Sequence, residues 1–520
     1  MAASKSSAKV DVLVVGSGAA GSVIAAEAAR AGKQVLVLEA GPARQPTDLV
    51  SSQIWARRLK WSGAPVEESG NLPVGHGFNA GWGTGGSALH HYAVWPRLHP
   101  DDFRVRSRFD RGLDWPLDYD ELAPWYDRVQ QAVGLSGDAQ QERWRPAGKP
   151  YPMPPLPVFA QGQVIAEGFR KSGMHTAPIP MAINSIPYQG RPPCLYDGWC
   201  DAGCPIGALA NPLATYLGWA VKAGARIQNH ATVVRVVHDA SGRVATGVEY
   251  CDAEGKRHRV DADTVVLAAF AVQTARLLLA STSDKHPRGL SNGNGLVGRY
   301  LMTHPATSIY GLFDRETQPH LGPTGGQLIC HDRYDSKQRD DAFGAYQWLI
   351  ANALKPNDLL GITNTRPDIT GDELEAFMQK AVRHMGAMVF VGEDIAQRDN
   401  RVSLSDRRDS YGVALAHATH NVLPETEKLC EQAVAEGLDI FRAAGSAEPW
   451  AGPRFGMHIM GGTVMGRDPA ESVCDAYGRL HEMDNVYVAG SGLFPSSGAV
   501  NPTFTIHALA LRAADHLFSG

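Results

Sequence analysis

The sequence has few cysteines, little excess charge and no long apolar run, and each shortage excludes a class of protein. Seven cysteines in 520 residues are too few for a disulfide scaffold, and an odd number cannot all pair within one chain. The formal net charge of -5 provides no basic surface for nucleic acid. No stretch approaches the roughly 20 apolar residues of a membrane helix, so we expect no membrane span.

Glycine, by contrast, is abundant, and the chain is long. The 55 glycines among 520 residues exceed the average share of about 7%. Such an excess indicates backbone that approaches a bound molecule closely, as it does around a nucleotide cofactor. A chain of this length also exceeds what one hydrophobic core usually serves, so we expect two domains.

The N-terminal segment carries a dinucleotide-binding pattern. The apolar strand 12–15 leads into Gly16-x-Gly18-x-x-Gly21, an alanine-rich helix, a second strand and then Glu39. Gly16 permits the tight turn, Gly18 lets the backbone approach a pyrophosphate, and Gly21 allows close packing of helix on strand. Glu39 can accept hydrogen bonds from ribose hydroxyls, which favours FAD or NAD over NADP. The alternative is a glycine-rich loop without a ligand.

Three of the cysteines lie close together. Cys194, Cys200 and Cys204 form a C-x5-C-x3-C segment with intervening glycines, so three thiolates could converge from one loop. Three thiolates suit a 3Fe–4S cluster, whereas a 4Fe–4S cluster normally needs a fourth cysteine. The spacing also allows a zinc site completed by a distant histidine, a disulfide with one free thiol, or no site at all.

The chain resembles the glucose–methanol–choline oxidoreductases, which are FAD enzymes, over nearly its whole length. The resemblance rests on GSGAAG with Glu39, GWGTGGSALHH at 81–91, VVLAAFAVQTARLLLAS at 265–281, GLVGRYLMTHP at 295–305, NRVSLS at 400–405 and the segment 475–517. Two positions depart from the family pattern: Phe270 stands where many relatives have glycine, and Thr303 where aspartate commonly precedes the His-Pro.

The resemblance implies an α/β fold with two domains. A Rossmann-like FAD-binding domain would combine residues 8–105, 205–305 and 455–520. A substrate-binding domain built on an antiparallel sheet would comprise residues 306–454, and residues 106–204 would form an excursion that carries the cysteine loop.

The resemblance also implies the catalytic and cofactor-binding residues. His458 and Asn501 match the family's His–Asn pair: neutral His458 would accept the hydroxyl proton, and Asn501 would donate to the substrate oxygen. For either, the alternative is a satisfied buried polar side chain. The residues expected to bind FAD are Gly16, Gly18, Ala19, Ala20, Gly21, Glu39, Ala40, Gly85, Gly86, Ser87, His90, Val233, Gly490, Asn501 and Thr503.

Four further histidines are weaker candidates. In sugar-oxidising relatives the residue matching His90 can be bonded covalently to the flavin, but His90 is more readily explained as a packing or hydrogen-bonding residue. His417 and His420 are other conceivable site residues, and we expect His507, in the final helix, to be structural.

The cysteine segment is similar to the cluster loop of one branch of the family, the large subunits of bacterial FAD-dependent sugar and polyol dehydrogenases of the glucose, sorbitol and fructose dehydrogenase type. The similarity extends to KPYPMPPLP at 149–157 and NSIPYQGRPPC at 184–194. It implies a 3Fe–4S cluster on Cys194, Cys200 and Cys204. Such a cluster would pass electrons from reduced flavin, one at a time, to a cytochrome c or quinone-type acceptor.

In those relatives the large subunit joins a small subunit, which carries the export signal, and a multihaem cytochrome c. The uncharged run 12–26 of this chain is bordered by Asp11 and interrupted by glycines, so we expect no export signal of its own. The resemblance therefore implies a periplasmic location, reached with a partner subunit and tied to the membrane through a cytochrome. A cytoplasmic location is the alternative.

The predicted function is oxidation of an alcohol group of a sugar, glycoside or polyol to a carbonyl. In glucose-specific relatives asparagines precede the catalytic histidine and contact the sugar, but here those positions are Gly456 and Met457. This difference argues against free glucose and favours a glycoside oxidised at a secondary ring hydroxyl. The alternatives are an oxygen-using oxidase of the same fold and a non-catalytic FAD electron-transfer subunit.

Overall fold

A computed structural model describes residues 9–335 and 337–519 of the chain. The strands, in chain order, are β1 (Val10–Val15), β2 (Val35–Leu38), β3 (Val66–Ser69), β4 (Ala177–Pro178), β5 (Arg226–Gln228), β6 (Thr232–His238), β7 (Ala245–Cys251), β8 (Arg257–Leu267), β9 (Met302–Leu312), β10 (Leu328–Cys330), β11 (Gln338–Arg339), β12 (Ala342–Phe343), β13 (Tyr346–Ile350), β14 (Met385–Gly392), β15 (Arg401–Arg408), β16 (Ala414–Thr419), β17 (Trp450–Ala451), β18 (Phe455–Met460) and β19 (Val486–Val488).

The α-helices, in chain order, are α1 (Ala19–Arg30), α2 (Gln53–Leu59), α3 (His76–Asn79), α4 (Val105–Phe109), α5 (Tyr119–Val133), α6 (Ala160–Lys171), α7 (Tyr216–Lys222), α8 (Ala271–Ala280), α9 (Pro356–Thr363), α10 (Gly371–His384), α11 (Pro424–Ala443) and α12 (Thr503–Phe518). Short 3-10 helices span Pro46–Asp48, Gly86–Leu89, Pro100–Phe103, Cys200–Ala202 and Ser491–Leu493. Among the described residues, no helix has the length and apolar character needed to cross a membrane.

The first sheet has seven strands and brings the two ends of the chain together. Its order is β5-β2-β1-β8-β7-β6, with β19 also paired to β8. β1 pairs in parallel with β2 and β8, and β19 pairs in parallel with β8. Every residue of β2 is buried, as expected for a parallel strand covered on both faces. Helix α1 packs against α12, so the N-terminal and C-terminal segments build one layer.

The second sheet also has seven strands and is antiparallel. Its order is β17-β9-β14-β13-β10-β4, with β18 also paired to β9. The long helix α11 packs against β9 and β14. The α/β fold class is confirmed: the first sheet is mixed, with β6, β7 and β8 paired antiparallel, and the second is antiparallel.

The domain limits remain a prediction, and residue 8, where the first range begins, lies outside the described residues. Strand β18, which we assigned to the FAD-binding domain, is hydrogen-bonded to β9 of the second sheet. Strand β4, from the predicted excursion, pairs with β10 of the same sheet. The catalytic candidate His458 therefore lies on a strand that joins the two predicted domains.

Candidate active site

One elongated cavity of about 310 Å³ connects the glycine turn after β1 with His458 on β18. The volume is at the lower end of the range of about 300–1,000 Å³ that is usual for cofactor and ligand pockets. The predicted site residues that line this cavity are Gly16, Gly18, Ala19, Ala20, Glu39, Ala40, Gly86, Ser87, His90, Val233, His458, Gly490, Asn501 and Thr503. The tertiary structure thus brings both ends of the chain to a single pocket.

Gly21 and Gly85, the other two predicted residues, lie beside this cavity and serve packing. A Cβ on Gly21 would stand 2.1 Å from the carbonyl oxygen of Gly16, so only glycine allows α1 to lie so close to the turn. Gly16 itself has φ +98°, a conformation that favours glycine. Gly85 also has a positive φ, and its N–H donates to the Ser17 hydroxyl at 3.1 Å.

Glu39 lies at the end of β2, where the sequence placed it. Its carboxylate accepts hydrogen bonds from the Ser17 N–H and hydroxyl at 3.1 and 2.7 Å, and from the N–H groups of Gly41 and Gly83 at 3.0 and 3.1 Å. These contacts fix the carboxylate, and a ribose hydroxyl would have to share it with Ser17. The ribose contact remains a prediction.

The cavity wall carries buried polar atoms that need a partner. Within the described residues, the following lining atoms have no hydrogen-bond partner: Ser62 Oγ, His76 Nε2, His90 Nε2, His91 Nε2, Thr232 Oγ1 and Asn352 Oδ1. A buried polar group without a partner costs about 1–3 kcal/mol. Helix α1 also starts at the cavity with no side chain capping it, so its first N–H groups are available to a phosphate. These features fit a polar dinucleotide such as FAD.

His458 is held by three hydrogen bonds at the other end of the cavity. Its N–H donates to Asn79 Oδ1 at 3.1 Å. The Asn501 amide donates to His458 Nε2 at 3.1 Å, and His458 Nδ1 is 3.0 Å from His304 Nδ1. His458 has φ +62°, which is rare for a residue with a side chain and is typical of strain at functional sites.

A second buried amide fixes Asn501. The Gln347 amide donates to Asn501 Oδ1 at 3.1 Å, and Gln347 Oε1 is 3.1 Å from His331 Nε2, which must therefore be the donor. Because the Asn501 oxygen is the acceptor in one contact, its NH₂ group has to face His458. Gln347 thus sets the orientation of the Asn501 amide, which would otherwise be free to turn over.

The partners of His304 fix the proton on His458. His304 Nε2 lies 3.3 and 3.1 Å from the carbonyl oxygens of Ser497 and Gly498, so this nitrogen carries a hydrogen. Neutral His304 then has an unprotonated Nδ1, and His458 Nδ1–H must be the donor between the two rings. His458 Nε2 is consequently the unprotonated nitrogen: it accepts the Asn501 amide hydrogen, and His458 lines the cavity.

Burial keeps this histidine pair neutral. Loss of solvent, and then the neighbouring His304, hold the pKa of His458 well below its ordinary value of 6.5. Burial also lowers the pKa of His304, to about 4, although Asp394 and Asp102 act in the opposite direction. A neutral imidazole at physiological pH is the form that accepts a proton.

The remaining histidine candidates lie outside the cavity lining. His420 is fully buried and contacts the Leu72 carbonyl oxygen at 2.8 Å and Asp394 Oδ2 at 2.7 Å. His417 contacts the Ser69 hydroxyl at 2.9 Å, and His507 contacts the Thr503 carbonyl oxygen at 2.8 Å.

The two departures from the family pattern have clear structural settings. Phe270 keeps the φ of +71° that suits glycine, and it lines the cavity beside His76, at 6.0 Å between ring centroids. The Thr303 N–H donates to Asp394 Oδ2 at 3.0 Å. A carboxylate from a distant segment thus lies beside the position where the family pattern has aspartate.

The three cysteines of the loop line a second, small cavity of about 30 Å³. Cys194 and Cys204 sulfurs accept hydrogen bonds from the N–H groups of Tyr196 and Leu209 at 3.3 and 3.4 Å. Burial raises the pKa of Cys194 to about 11 and that of Cys200 to about 12. Among the described residues, no group of three or more His, Cys, Asp or Glu side chains is arranged around a single metal ion. A 3Fe–4S cluster takes one thiolate on each of three irons, so the donor set suits it without converging on one point.

Two buried lysines lie between the two cavities. Lys60 Nζ lines the long cavity and is 3.4 Å from the Tyr92 hydroxyl and 3.3 Å from Asp201 Oδ2. Lys355 Nζ is 3.4 Å from the other oxygen of Asp201, the residue after Cys200. All three charged side chains are at most 7% exposed.

Several of these residues were not identified from the sequence. His304 lies inside the quoted segment GLVGRYLMTHP, but its place beside His458 depends on the pairing of β18 with β9. Asn79, Gln347, Lys60 and Lys355 belong to no motif that we recognised. Their positions beside the site depend on contacts between strands and layers that are distant in sequence. Periodicity and spacing along the chain do not identify such contacts.

A dinucleotide-type pocket that ends at a neutral histidine is typical of nucleotide-dependent oxidoreductases. Two family profiles, both described as GMC oxidoreductase, match residues 10–306 and 396–510. The chain therefore belongs to the GMC oxidoreductase family, and it is an oxidoreductase.

Full-length relatives agree with this assignment. The chain is 30% identical to the fructose dehydrogenase large subunit of Gluconobacter japonicus, over 98% of both chains. It is also 30% identical to the 2-methyl-1,2-propanediol dehydrogenase of Mycolicibacterium austroafricanum, over 98% of this chain and 95% of that protein. Among solved structures, the formate oxidase of Aspergillus oryzae RIB40 shares the fold, with a TM-score of 0.70 at 15% identity over 99% of both chains.

Proposed function

We propose that the chain is an FAD-dependent dehydrogenase that oxidises an alcohol group of a sugar, glycoside or polyol to a carbonyl. The observation that carries the proposal is the unprotonated Nε2 of His458, paired with the Asn501 amide. Both residues line the same cavity as the glycine turn after β1. His458 takes the hydroxyl proton, and Asn501 donates a hydrogen bond to the substrate oxygen. Bound FAD would supply the hydride acceptor for the carbinol carbon.

The residues that would hold FAD are those that line the dinucleotide end of the cavity. The turn at Gly16–Gly18 and the uncapped start of α1 suit the pyrophosphate. Glu39 suits the ribose, and the segment around Gly86 suits the ring system because no side chain intervenes there. His90 also lines this cavity, and its Nε2 has no partner among the described residues. Mass spectrometry of the denatured protein would detect a covalent bond from this nitrogen to flavin.

The cavity wall near His458 supports a substrate with both polar and apolar parts. Met457, Leu349 and Val389 supply apolar lining, while Asn352 contributes a buried Oδ1 that has no partner among the described residues. A hydroxyl group on the substrate could donate to that oxygen. This mixture favours a glycoside, oxidised at a secondary ring hydroxyl, over free glucose. A polyol or a less polar diol also fits.

We further propose that electrons leave through a 3Fe–4S cluster held by Cys194, Cys200 and Cys204. The surface around these cysteines supports a protein acceptor, because large apolar side chains are exposed there. They are Val50, Ile54, Leu195 and Ile206, with exposed fractions of 51%, 70%, 64% and 40%. Leu195 and Ile206 line the small cavity together with the cysteines and Ser51. Val50 and Ile54 lie one and three positions from Ser51 in the chain. A contiguous exposed apolar patch often marks an interaction site.

The proposed partners are a multihaem cytochrome c and a small subunit that carries an export signal, which implies a periplasmic location. The name of the Gluconobacter japonicus relative, a large subunit, supports an assembly of several chains. Purification through a tag on this chain from its native host, followed by haem staining and mass spectrometry of the co-purified chains, should recover a c-type cytochrome and a small subunit. Recovery of this chain alone would contradict the proposed complex.

The central test is anaerobic bleaching of bound flavin by D-fructose, sorbitol, methyl β-D-glucoside and 2-methyl-1,2-propanediol. We expect at least one compound to bleach the wild-type protein. His458→Ala should lower the reduction rate by about 10²–10⁴, the usual contribution of a general base, while FAD remains bound. His417→Ala, which removes a histidine outside the cavity, is the matched control. Wild-type reduction rates in His458→Ala would contradict the proposal.

A further inference from the structure

His304 stands directly behind the proposed base and is fully buried. Its Nδ1 is an unprotonated acceptor for the His458 Nδ1–H at 3.0 Å, and its Nε2–H donates to the carbonyl oxygens of Ser497 and Gly498. If His304 gained a proton at Nδ1, it could donate that proton back to His458 and keep both carbonyl contacts. Every N–H of an imidazolium at this position would therefore have an acceptor.

The electrostatic surroundings of the two rings differ. The carboxylates of Asp394 and Asp102 favour a positive charge on His304, whereas only burial and His304 itself act on the pKa of His458. Asp394 Oδ2 accepts the N–H of Thr303, the residue before His304, at 3.0 Å. A proton on the pair is consequently more stable on His304, the ring further from the cavity.

The charged and titratable groups around the pair come from four other segments of the chain. They are Asp102, Lys337, Glu393, Asp394 and His420. Lys337 bridges Asp102 and Glu393 at 2.7 and 2.6 Å, and His420 contacts Asp394 at 2.7 Å. Of these groups, the carboxylates of Asp394 and Asp102 act on His304 and partly offset the effect of burial on its pKa.

We propose that His458 and His304 form a two-histidine proton relay in which His304 holds the proton during alcohol oxidation. The inference rests on the proposed function. The substrate O–H bond breaks as the His458 Nε2–H bond forms, and the His458 Nδ1–H bond breaks as the His304 Nδ1–H bond forms. The hydride, with both electrons, would go to bound flavin, the oxidant named above. His458 ends neutral with its hydrogen on Nε2, and His304 carries the charge.

His304→Gln separates the relay from simple positioning. The glutamine oxygen can accept from His458 Nδ1–H and its amide can donate to the two carbonyl groups, but it cannot take a proton. With FAD bound, we expect the rate of flavin reduction to fall about tenfold to hundredfold, within the range for proton-transfer groups. In this variant an added proton can bind only to His458, which is the less basic ring. Inactivation by protonation therefore needs more acid, and the acidic limb of the pH–rate profile should move to lower pH. His286→Gln, a buried histidine at the far side of the first sheet, should change neither quantity.

A measurement on the wild-type protein covers the case in which the variant does not fold. Flavin reduction by the best compound of the panel above is followed in mixtures of H₂O and D₂O. Two protons that move together give a curved dependence on the D₂O fraction, and a single proton gives a straight line. A straight line, or an unmoved acidic limb in FAD-loaded His304→Gln, overturns the relay. Loss of reduction in His458→Ala alongside either result would leave the proposed function standing.

Discussion

The catalytic end of the long cavity and the cysteine loop are built in opposite ways. At the catalytic end, hydrogen bonds run without a break from His331 through Gln347, Asn501 and His458 to His304. In the cysteine loop, the three thiols share a small cavity, their pKa values are raised by burial, and the surface beside them is apolar and exposed.

The difference shows which parts of the molecule are complete without a bound group. The ring and amide orientations at His458 are set by the protein alone, so the base is preorganised. The thiols would bind metal only as thiolates, and their burial opposes that form until a cation replaces the proton. The proposed cluster would therefore order the loop as it binds, whereas FAD would enter a pocket already shaped.

The strongest way to separate the two regions is to remove a cysteine. We expect Cys200→Ser to abolish the EPR signal of the cluster and the reduction of cytochrome c, because a hydroxyl is a poor iron ligand. Flavin bleaching by substrate should continue at the wild-type rate. Iron and sulfide analysis measures the loss, and Cys251→Ser, on β7 of the first sheet, is the control. Wild-type protein without iron would contradict the electron path and favour an oxygen-using oxidase. Unchanged cytochrome reduction in Cys200→Ser would show that electrons reach the cytochrome without the cluster.

Lys60→Met should affect both regions, because Lys60 lies between them. Removing one partner of a buried ion pair costs about 3–5 kcal/mol, and Asp201 would keep only Lys355, at 3.4 Å. We expect a lower denaturant midpoint together with reduced iron content, since Asp201 follows Cys200. Arg243→Met breaks an exposed pair with Asp484 and should cost no more than about 1 kcal/mol. Equal effects of the two substitutions would show that the buried lysine does not join the regions.

Gln347→Leu should leave the cysteine loop unchanged and confine its effect on the reaction to the catalytic end. It leaves Asn501 Oδ1 and His331 Nε2 without their partner, at about 1–3 kcal/mol for each buried group. With Asn501 free to turn, we expect roughly tenfold slower flavin reduction, the loss that about 1.4 kcal/mol of barrier corresponds to. Iron content should not change.

Gln130→Leu is the matched control, because Gln130 is also a fully buried amide but bonds to Lys149 and Pro150 carbonyl groups away from the cavity. It should reduce stability without slowing flavin reduction. If both substitutions slowed the reaction equally, Gln347 would be acting through general stability and not through Asn501.

Much of the nucleotide-type layer could be predicted because its signals are local. The turn after β1, the helix that follows and the acid after β2 are close in sequence, and each has a steric or electrostatic reason. His507 was expected in a final helix, and α12, which begins at Thr503, contains it. His458 and Asn501 were identified only through family resemblance, since nineteen histidines give no physical means of choosing one.

By itself, the sequence determined the succession of strand, glycine turn, helix, strand and acid near the N-terminus. It also determined the positions that only glycine can occupy and the three neighbouring cysteines. Tertiary structure alone decided which groups surround the base. His304 and His458 are 154 positions apart, as are Gln347 and Asn501, and they meet only because β18 pairs with β9 and the loop before α12 folds against β13. The protonation of an imidazole depends on its partners and its burial, and both come from packing.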